Sequence, residues 1–76
     1  MNAKERLNGR LRGLKSLVEG ALDCVLEGQN NVERQEWIFG TTNLRKLFRN
    51  ASAIQKQRAT VLRLLRLARK ESDERR

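Results

Sequence analysis

The fold is decided by residues 44–70, LRKLFRNASAIQKQRATVLRLLRLARK. Wound as a helix at about 100° per residue, this stretch places apolar side chains on one side and a line of cations on the other. The apolar side collects Leu44, Leu47, Ala51, Ile54, Val61, Leu62, Leu65 and Ala68. A segment that buries one side and exposes the other is typical of an amphipathic helix, so the sequence predicts a long one here.

The cations form a stripe that begins upstream of this stretch and falls within about 60° of arc. Its members are Arg34, Arg45, Arg49, Lys56, Arg63 and Lys70, with Ser52 among them. No acidic residue interrupts the stripe after Arg45, so the (i, i+4) ion pairs that stabilise many soluble helices are absent from it. This pattern favours the binding of a regular polyanion such as a nucleic-acid duplex. A solvated face that only keeps the protein soluble is the alternative.

Composition predicts one small, helical domain that is not an enzyme. The chain has 76 residues, 17 Lys and Arg against 9 Asp and Glu, a net charge of +8, and neither His nor Pro. With one cysteine, Cys24, it has no zinc cluster, no nucleophile with a histidine base and no glycine-rich phosphate loop. We expect no cofactor, no metal and no small-molecule substrate. The lone cysteine and the absence of an apolar span predict an intracellular protein without a membrane span.

The N-terminal part of the chain predicts another helix, the first in chain order, which packs antiparallel to the long one. Apolar residues recur there at steps of three and four, at Leu7, Leu11, Leu14, Val18, Ala21, Leu22 and Val25. We expect this helix to span about residues 3–27 and to stop at Gly28, with a turn over 28–30. The long helix then runs over about 31–70, its start capped by an Asn with Glu33 behind it, and residues 71–76 fray.

Three features of this organisation have an alternative interpretation. Gly40 and the polar residues after it can break the long helix, which gives three helices instead of two. Trp37 shares an edge with Leu44 and Phe48, which predicts a place in the core over a stacking role. On the first helix, small residues occupy the side opposite the leucines, either for close approach to a partner or as a plain solvent face. These residues are Gly9, Gly13, Ser16 and Gly20.

The two leucine faces exceed what one hairpin of this size can cover, and the chain has no disulfide or metal to support it. We therefore predict an antiparallel helical hairpin that forms a homodimeric four-helix bundle. A two-fold dimer duplicates the basic stripe. From Arg34 to Lys56 a continuous helix rises about 33 Å, close to one turn of a duplex.

The missing features narrow the type of nucleic acid. Single-strand binders need several aromatic side chains for base stacking, and this chain has only Trp37, Phe39 and Phe48, of which at least two are expected in the core. No helix-turn-helix pattern is evident for reading DNA sequence. A long basic helix with Ser and Thr hydroxyls suits the phosphates and 2′-hydroxyls of duplex RNA, recognised by shape.

Val18-Glu19, followed by Asn30-Asn31-Val32 and Arg34, resembles the B2 proteins of nodaviruses, small viral suppressors of RNA silencing. The resemblance covers about residues 17–56 and extends to size, charge and hairpin organisation. It implies a dimeric four-helix bundle that lies along double-stranded RNA in the host cytoplasm and shields it from dicing and from silencing complexes. By spacing from the Asn-Asn-Val segment, Arg34, Thr42 and Arg45 stand where that family contacts RNA, and Arg49 and Ser52 lie near a further contact.

Two other classes of function remain open on the sequence. A small helical inhibitor or regulator would lay its leucine face into a partner protein, with the charge serving solubility. A basic amphipathic helix also binds anionic lipid surfaces, but the leucine faces are needed to form the bundle, which disfavours this function. A stable dimer in the absence of RNA separates the duplex binder from the inhibitor.

Overall fold

The computed structural model describes residues 2–74, and each secondary-structure element in this range is a helix. The helices are α1 (Ala3–Glu33), α2 (Trp37–Lys56) and α3 (Arg58–Glu74). The predicted all-α class is confirmed. Because α1 packs along both α2 and α3, the chain forms an antiparallel hairpin with one straight arm and one bent arm.

The first helix is longer than predicted. Its start is capped by Asn2, whose Oδ1 accepts a hydrogen bond from the Glu5 N–H at 2.9 Å. The predicted stop at Gly28 is wrong, because Gly28 is buried inside α1 and a Cβ there would lie 3.4 Å from Leu44 Cδ2. Gly28 therefore allows the two arms to approach closely and does not end the helix.

The turn spans Arg34, Gln35 and Glu36, six residues after the predicted position. Gln35 has a left-handed φ of 59°, and the Glu36 N–H donates to the Asn31 carbonyl at 2.7 Å while the Gln35 N–H donates to that of Val32 at 3.0 Å. These bonds form a Schellman motif, which satisfies the last carbonyls of α1. The predicted cap by an Asn before Glu33 is wrong, because α2 begins after Glu36 with no side-chain cap.

The second arm is interrupted at Gln57 and not at Gly40. Gly40 lies buried within α2, with Asn31 Cβ 3.4 Å from the place of an added Cβ. At Gln57 the N–H donates to the Ile54 carbonyl at 3.0 Å, a tighter turn than in an α-helix, although its φ of −82° and ψ of −13° remain right-handed. The predicted single helix over 31–70 is thus a bent pair of helices that starts at Trp37.

The predicted fraying from residue 71 onward is wrong for residues 71–74, which belong to α3. Glu71 Oε2 accepts a hydrogen bond from the Ala3 N–H at 3.2 Å and joins the end of α3 to the start of α1. The last two residues of the predicted tail, 75 and 76, lie outside the described residues.

The arms meet along a strict alternation of three- and four-residue steps, which we call the seam. A repeat of 3.5 residues is the pattern of a coiled coil, and the hairpin is built like a short antiparallel one. All seam residues except Arg10 are buried or half-buried. They are Ala3, Leu7, Arg10, Leu14, Leu17, Ala21, Cys24, Gly28 and Asn31 on α1, and Gly40, Asn43, Leu47, Asn50, Ile54, Gln57, Val61, Leu64, Ala68 and Glu71 on the bent arm.

The dry core of one chain is small. Among the described apolar residues only Ala3, Leu7 and Leu64 are buried. Trp37, which the sequence placed in the core, is 61% exposed. The hairpin measures 59 × 16 × 15 Å, and its radius of gyration is 17.4 Å, whereas a compact domain of this length has about 11 Å. The chain is a thin rod whose leucines are mostly left uncovered.

Candidate nucleic-acid interface

The predicted contact residues of the second arm lie together on its outer surface. We call this surface the basic face. Its members are Thr42, Arg45, Arg49, Ser52, Lys56, Arg63 and Lys70, all of them exposed. Thr42, Arg49, Lys56, Arg63 and Lys70 recur every seven residues, which is about 10.5 Å along a helix.

The seam forces this placement. Seven-residue spacing is the spacing of the seam itself, so a row that begins two residues after Gly40 stays at a constant angle to α1 along both α2 and α3. At about 100° per residue, that row lies more than 90° away from the seam. The basic face is therefore turned to solvent along the length of the bent arm.

The positive charge of this face is not compensated locally. Residues 37–70 contain nine Lys and Arg and no Asp or Glu. Within residues 2–74 the recorded ion pair joins Lys15 Nζ to Glu19 Oε1 at 3.9 Å, on α1. No described carboxylate lies within ion-pair distance of the basic face, so its field extends into solvent and attracts anions.

Arg34 does not lie on the basic face. The sequence placed it in register with Arg45 on one helix, but it is the C-terminal cap of α1, and its N–H donates to the Asn30 carbonyl at 3.0 Å. The turn that follows breaks the register between the two arginines. Arg34 is exposed at the closed end of the hairpin, separate from the other predicted contacts.

The two predicted hydroxyl contacts differ in their surroundings. Thr42 Oγ1 donates to the Ile38 carbonyl at 3.1 Å, so its proton is engaged within the helix while its oxygen can still accept. Ser52 is exposed between Arg49 and Lys56, and no hydrogen bond of its hydroxyl is recorded within residues 2–74. Ser52 is thus the freer donor of the two.

The opposite flank of the seam carries uncovered apolar residues, and we call it the apolar side. Its large side chains are 40–68% exposed: Leu11, Val18, Leu22 and Val32 on α1, and Leu44, Phe48, Leu62 and Leu65 on the bent arm. A groove of about 380 Å³ runs between the arms on this side, lined by Val25, Val32, Leu44 and Leu47 among others. The predicted apolar face is therefore divided between the seam and this side.

A cleft of about 590 Å³ lies between α1 and α3 on the same flank as the basic face. It is lined by Glu5, Arg6, Gly9, Arg10, Arg12, Thr60, Arg63 and Leu64. Of the residues that line this arginine cleft, the sequence analysis singled out only Gly9 and Arg63. The arginines of α1 were missed because the position of the turn decides which residues of the two arms lie opposite each other. The true turn at Gln35 places these arginines beside Thr60 and Arg63, whereas a turn at 28–30 places other residues opposite them.

The small residues of α1 serve two purposes. Gly20 lies against the bent arm, where an added Cβ would be 3.0 Å from Asn50 Nδ2. Gly9 and Gly13 have nothing within 4 Å of an added Cβ. Close approach thus explains Gly20, and Gly9 and Gly13 leave open space beside the arginine cleft.

Comparison with known proteins identified no matching family model, no matching curated protein and no matching solved structure. Among the described helices, none combines the length and the apolar character that crossing a bilayer requires.

Proposed function

We propose that this protein binds double-stranded RNA through the basic face, without reading its sequence, and acts by binding and not by catalysis. The observation that carries the proposal is the acid-free basic face, held at a constant angle along α2 and α3. A rigid line of cations at regular spacing suits a rigid polyanion, whose phosphates are neutralised with release of counterions.

The position of the aromatic residues favours a duplex over a single strand. Trp37, Phe39 and Phe48 are 61–68% exposed, so the expected burial of at least two of them is wrong for the single chain. None of the three belongs to the basic face, however. A single-strand site needs several bases stacked on aromatic rings among the cations, whereas Phe48, three residues after Arg45, lies only at the edge of this face. Ser52 and Thr42 offer hydroxyls to the 2′-hydroxyls that line the wide minor groove of A-form RNA.

The acting species is a homodimer in this proposal. A globular monomer of this mass exposes about 4,800 Å², whereas this chain exposes 6377 Å². The excess of about 1,600 Å² per chain is of the order that a permanent homodimer interface covers. Joining two apolar sides gives a four-helix bundle with both basic faces outside, where two rows contact one duplex.

Shielding of RNA follows from such a complex. A bundle with a 59 Å rod per chain covers a duplex over a length of that order and excludes enzymes that need the same surface. The resemblance to nodavirus B2 proteins supports a role as a viral suppressor of RNA silencing in the host cytoplasm.

Gel-shift titrations with duplex RNA, duplex DNA and single-stranded RNA of equal length, at two salt concentrations, test the proposal. We expect duplex RNA to bind best and the double variant Arg49→Ala, Lys56→Ala to lower the salt slope by about two units on every sequence. The matched control Lys4→Ala, Lys15→Ala removes the same charge from α1. Equal binding of RNA and DNA duplexes, or equal losses in both variants, contradicts the proposal.

The groove on the apolar side favours one alternative function. The groove lined by Val25, Val32, Leu44 and Leu47 is apolar, and an apolar groove is the kind of site that binds a partner's amphipathic helix. A small protein-binding inhibitor or regulator then uses the basic face for solubility. A protein that stays monomeric at micromolar concentration and binds no duplex RNA would fit this second function.

A further inference from the structure

The arginine cleft brings cations from two helices to one place. Arg6, Arg10 and Arg12 come from α1 and Arg63 comes from α3, and Glu5 is the one carboxylate in the lining. Four guanidinium groups around one cleft repel each other unless an anion lies between them. Arginine forks match the geometry of phosphate oxygens.

Neutral groups of the cleft complete a site for phosphate. Thr60 contributes a hydroxyl from α3, three residues before Arg63 and on the same side of the helix. Arg10 Nη1 donates to Gln57 Oε1 at 3.1 Å, which holds the Arg10 side chain across the seam at the point where the arm bends. This contact orients one cation before any ligand binds.

Gly9 keeps the cleft open, and Leu64 forms its floor. Gly9 carries no side chain, and an added Cβ there meets nothing within 4 Å, while Leu64 is 1% exposed and closes the bottom. A phosphate group of an extended strand can therefore reach the guanidinium groups without displacing protein atoms.

We propose that the arginine cleft is a phosphate-binding site that extends the basic face onto α1. Arg63 belongs to both surfaces, so a strand on the basic face continues into the cleft and places a phosphate between Arg6, Arg10 and Arg63. The biological ligand rests on the proposed binding of duplex RNA. The phosphate comes either from inside the strand or from its 5′ end.

The first test uses inorganic tripolyphosphate and the isotope-labelled full chain in NMR titrations. We expect saturable shifts confined to the amides around Gly9, Arg10, Thr60 and Arg63. The variant Arg6→Gln, Arg10→Gln weakens this binding by about tenfold or more, as the loss of charge-assisted hydrogen bonds requires. The matched control Lys4→Gln, Lys15→Gln removes the same charge from α1 outside the cleft and keeps this binding. Shifts spread over all cations, or equal affinity in both variants, overturn the site.

The variant Arg6→Gln, Arg10→Gln loses the Arg10 contact to Gln57 and so weakens the hairpin. The variant Gly9→Glu therefore tests the site without removing this contact. Its side chain enters open space, so helicity is retained while a carboxylate occupies the cleft. Retained helicity with tenfold or greater loss of tripolyphosphate binding supports the site. Unchanged binding of tripolyphosphate overturns it.

Duplex RNA then distinguishes the two sources of phosphate. If the double variant Arg6→Gln, Arg10→Gln loses the same affinity for duplexes with 5′-hydroxyl ends and with 5′-triphosphate ends, the cleft binds phosphates inside the strand. The salt slope is then lower by about two units. A loss confined to the triphosphate duplex indicates the end. Failure of the unmodified protein to bind any duplex refutes the proposed function, whereas saturable tripolyphosphate binding in the cleft still supports the site.

Discussion

The two flanks of the hairpin differ in what they leave uncovered. On the apolar side, Leu44 and Leu65 are 40% and 52% exposed, and the groove lined in part by Leu44 is apolar. On the other flank lie the basic face and the arginine cleft. Apolar surface is stabilised by removal from water, whereas a basic face must stay accessible to bind a polyanion. One flank therefore suits assembly and the other suits binding, and the seam holds both in place.

The largest effect is expected from breaking the seam itself, which supports both flanks. Leu64 is 1% exposed, so Leu64→Asp buries a charge without a partner. In a hairpin with so small a core, we expect loss of most helical signal in far-ultraviolet circular dichroism. A variant that keeps both its helicity and its melting temperature would show that Leu64 is not part of the core.

Leu65, next to Leu64 in the chain, allows the apolar side to be tested without disturbing the seam. Leu65 is 52% exposed, so Leu65→Asp is tolerated by the single hairpin but places a charge in the proposed dimer interface. We expect sedimentation equilibrium to show a dimer for the unmodified chain and a helical monomer for this variant. Ala59→Asp, on the exposed outer surface of α3, is the control and leaves the dimer intact. An unmodified chain that is monomeric at micromolar concentration removes the dimer from the proposal.

A smaller effect is expected on the basic face. The double variant Thr42→Ala, Ser52→Ala removes two hydroxyls and no charge, so total affinity changes little while the preference for RNA over DNA narrows by a few-fold. Of the single variants, Ser52→Ala has the larger effect, because the Thr42 hydroxyl proton is engaged with Ile38. Competition binding with RNA and DNA duplexes measures the ratio. An unchanged ratio would mean that charge alone sets the preference.

The smallest effect concerns the turn, which belongs to neither flank. Gln35 has a φ of 59°, and a left-handed backbone costs an L-residue about 1 kcal/mol. Gln35→Gly relieves this strain but loses more entropy on folding, so we expect a net stabilisation of about 0.5 kcal/mol. Thermal unfolding should show a midpoint raised by about 2–4 °C with RNA binding unchanged. A lower midpoint would mean that the Gln35 side chain stabilises the turn.

Periodicity in the sequence correctly predicted helices, the antiparallel hairpin and a common exposed surface for most of the stripe cations, because spacing within one helix is a local property. The turn was misplaced because Gly28, the residue type that commonly ends a helix, is used for close packing against Leu44, while Gln35 takes the left-handed position without any local preference. The arginine cleft depends on the pairing of α1 with α3. An error of six residues in the turn hides it.

The closed end of the hairpin has a consequence for the order in which the molecule folds. Asn43 Nδ2 donates to Asn31 Oδ1 at 2.7 Å across only 12 residues, whereas Ala3 and Glu71 are 68 residues apart. Contacts with short loops form with the smallest entropic cost, so the arms associate from the turn toward the open end. The arginine cleft lies near the open end, so it forms last and opens first. A phosphate bound there stabilises the association of the two arms at that end.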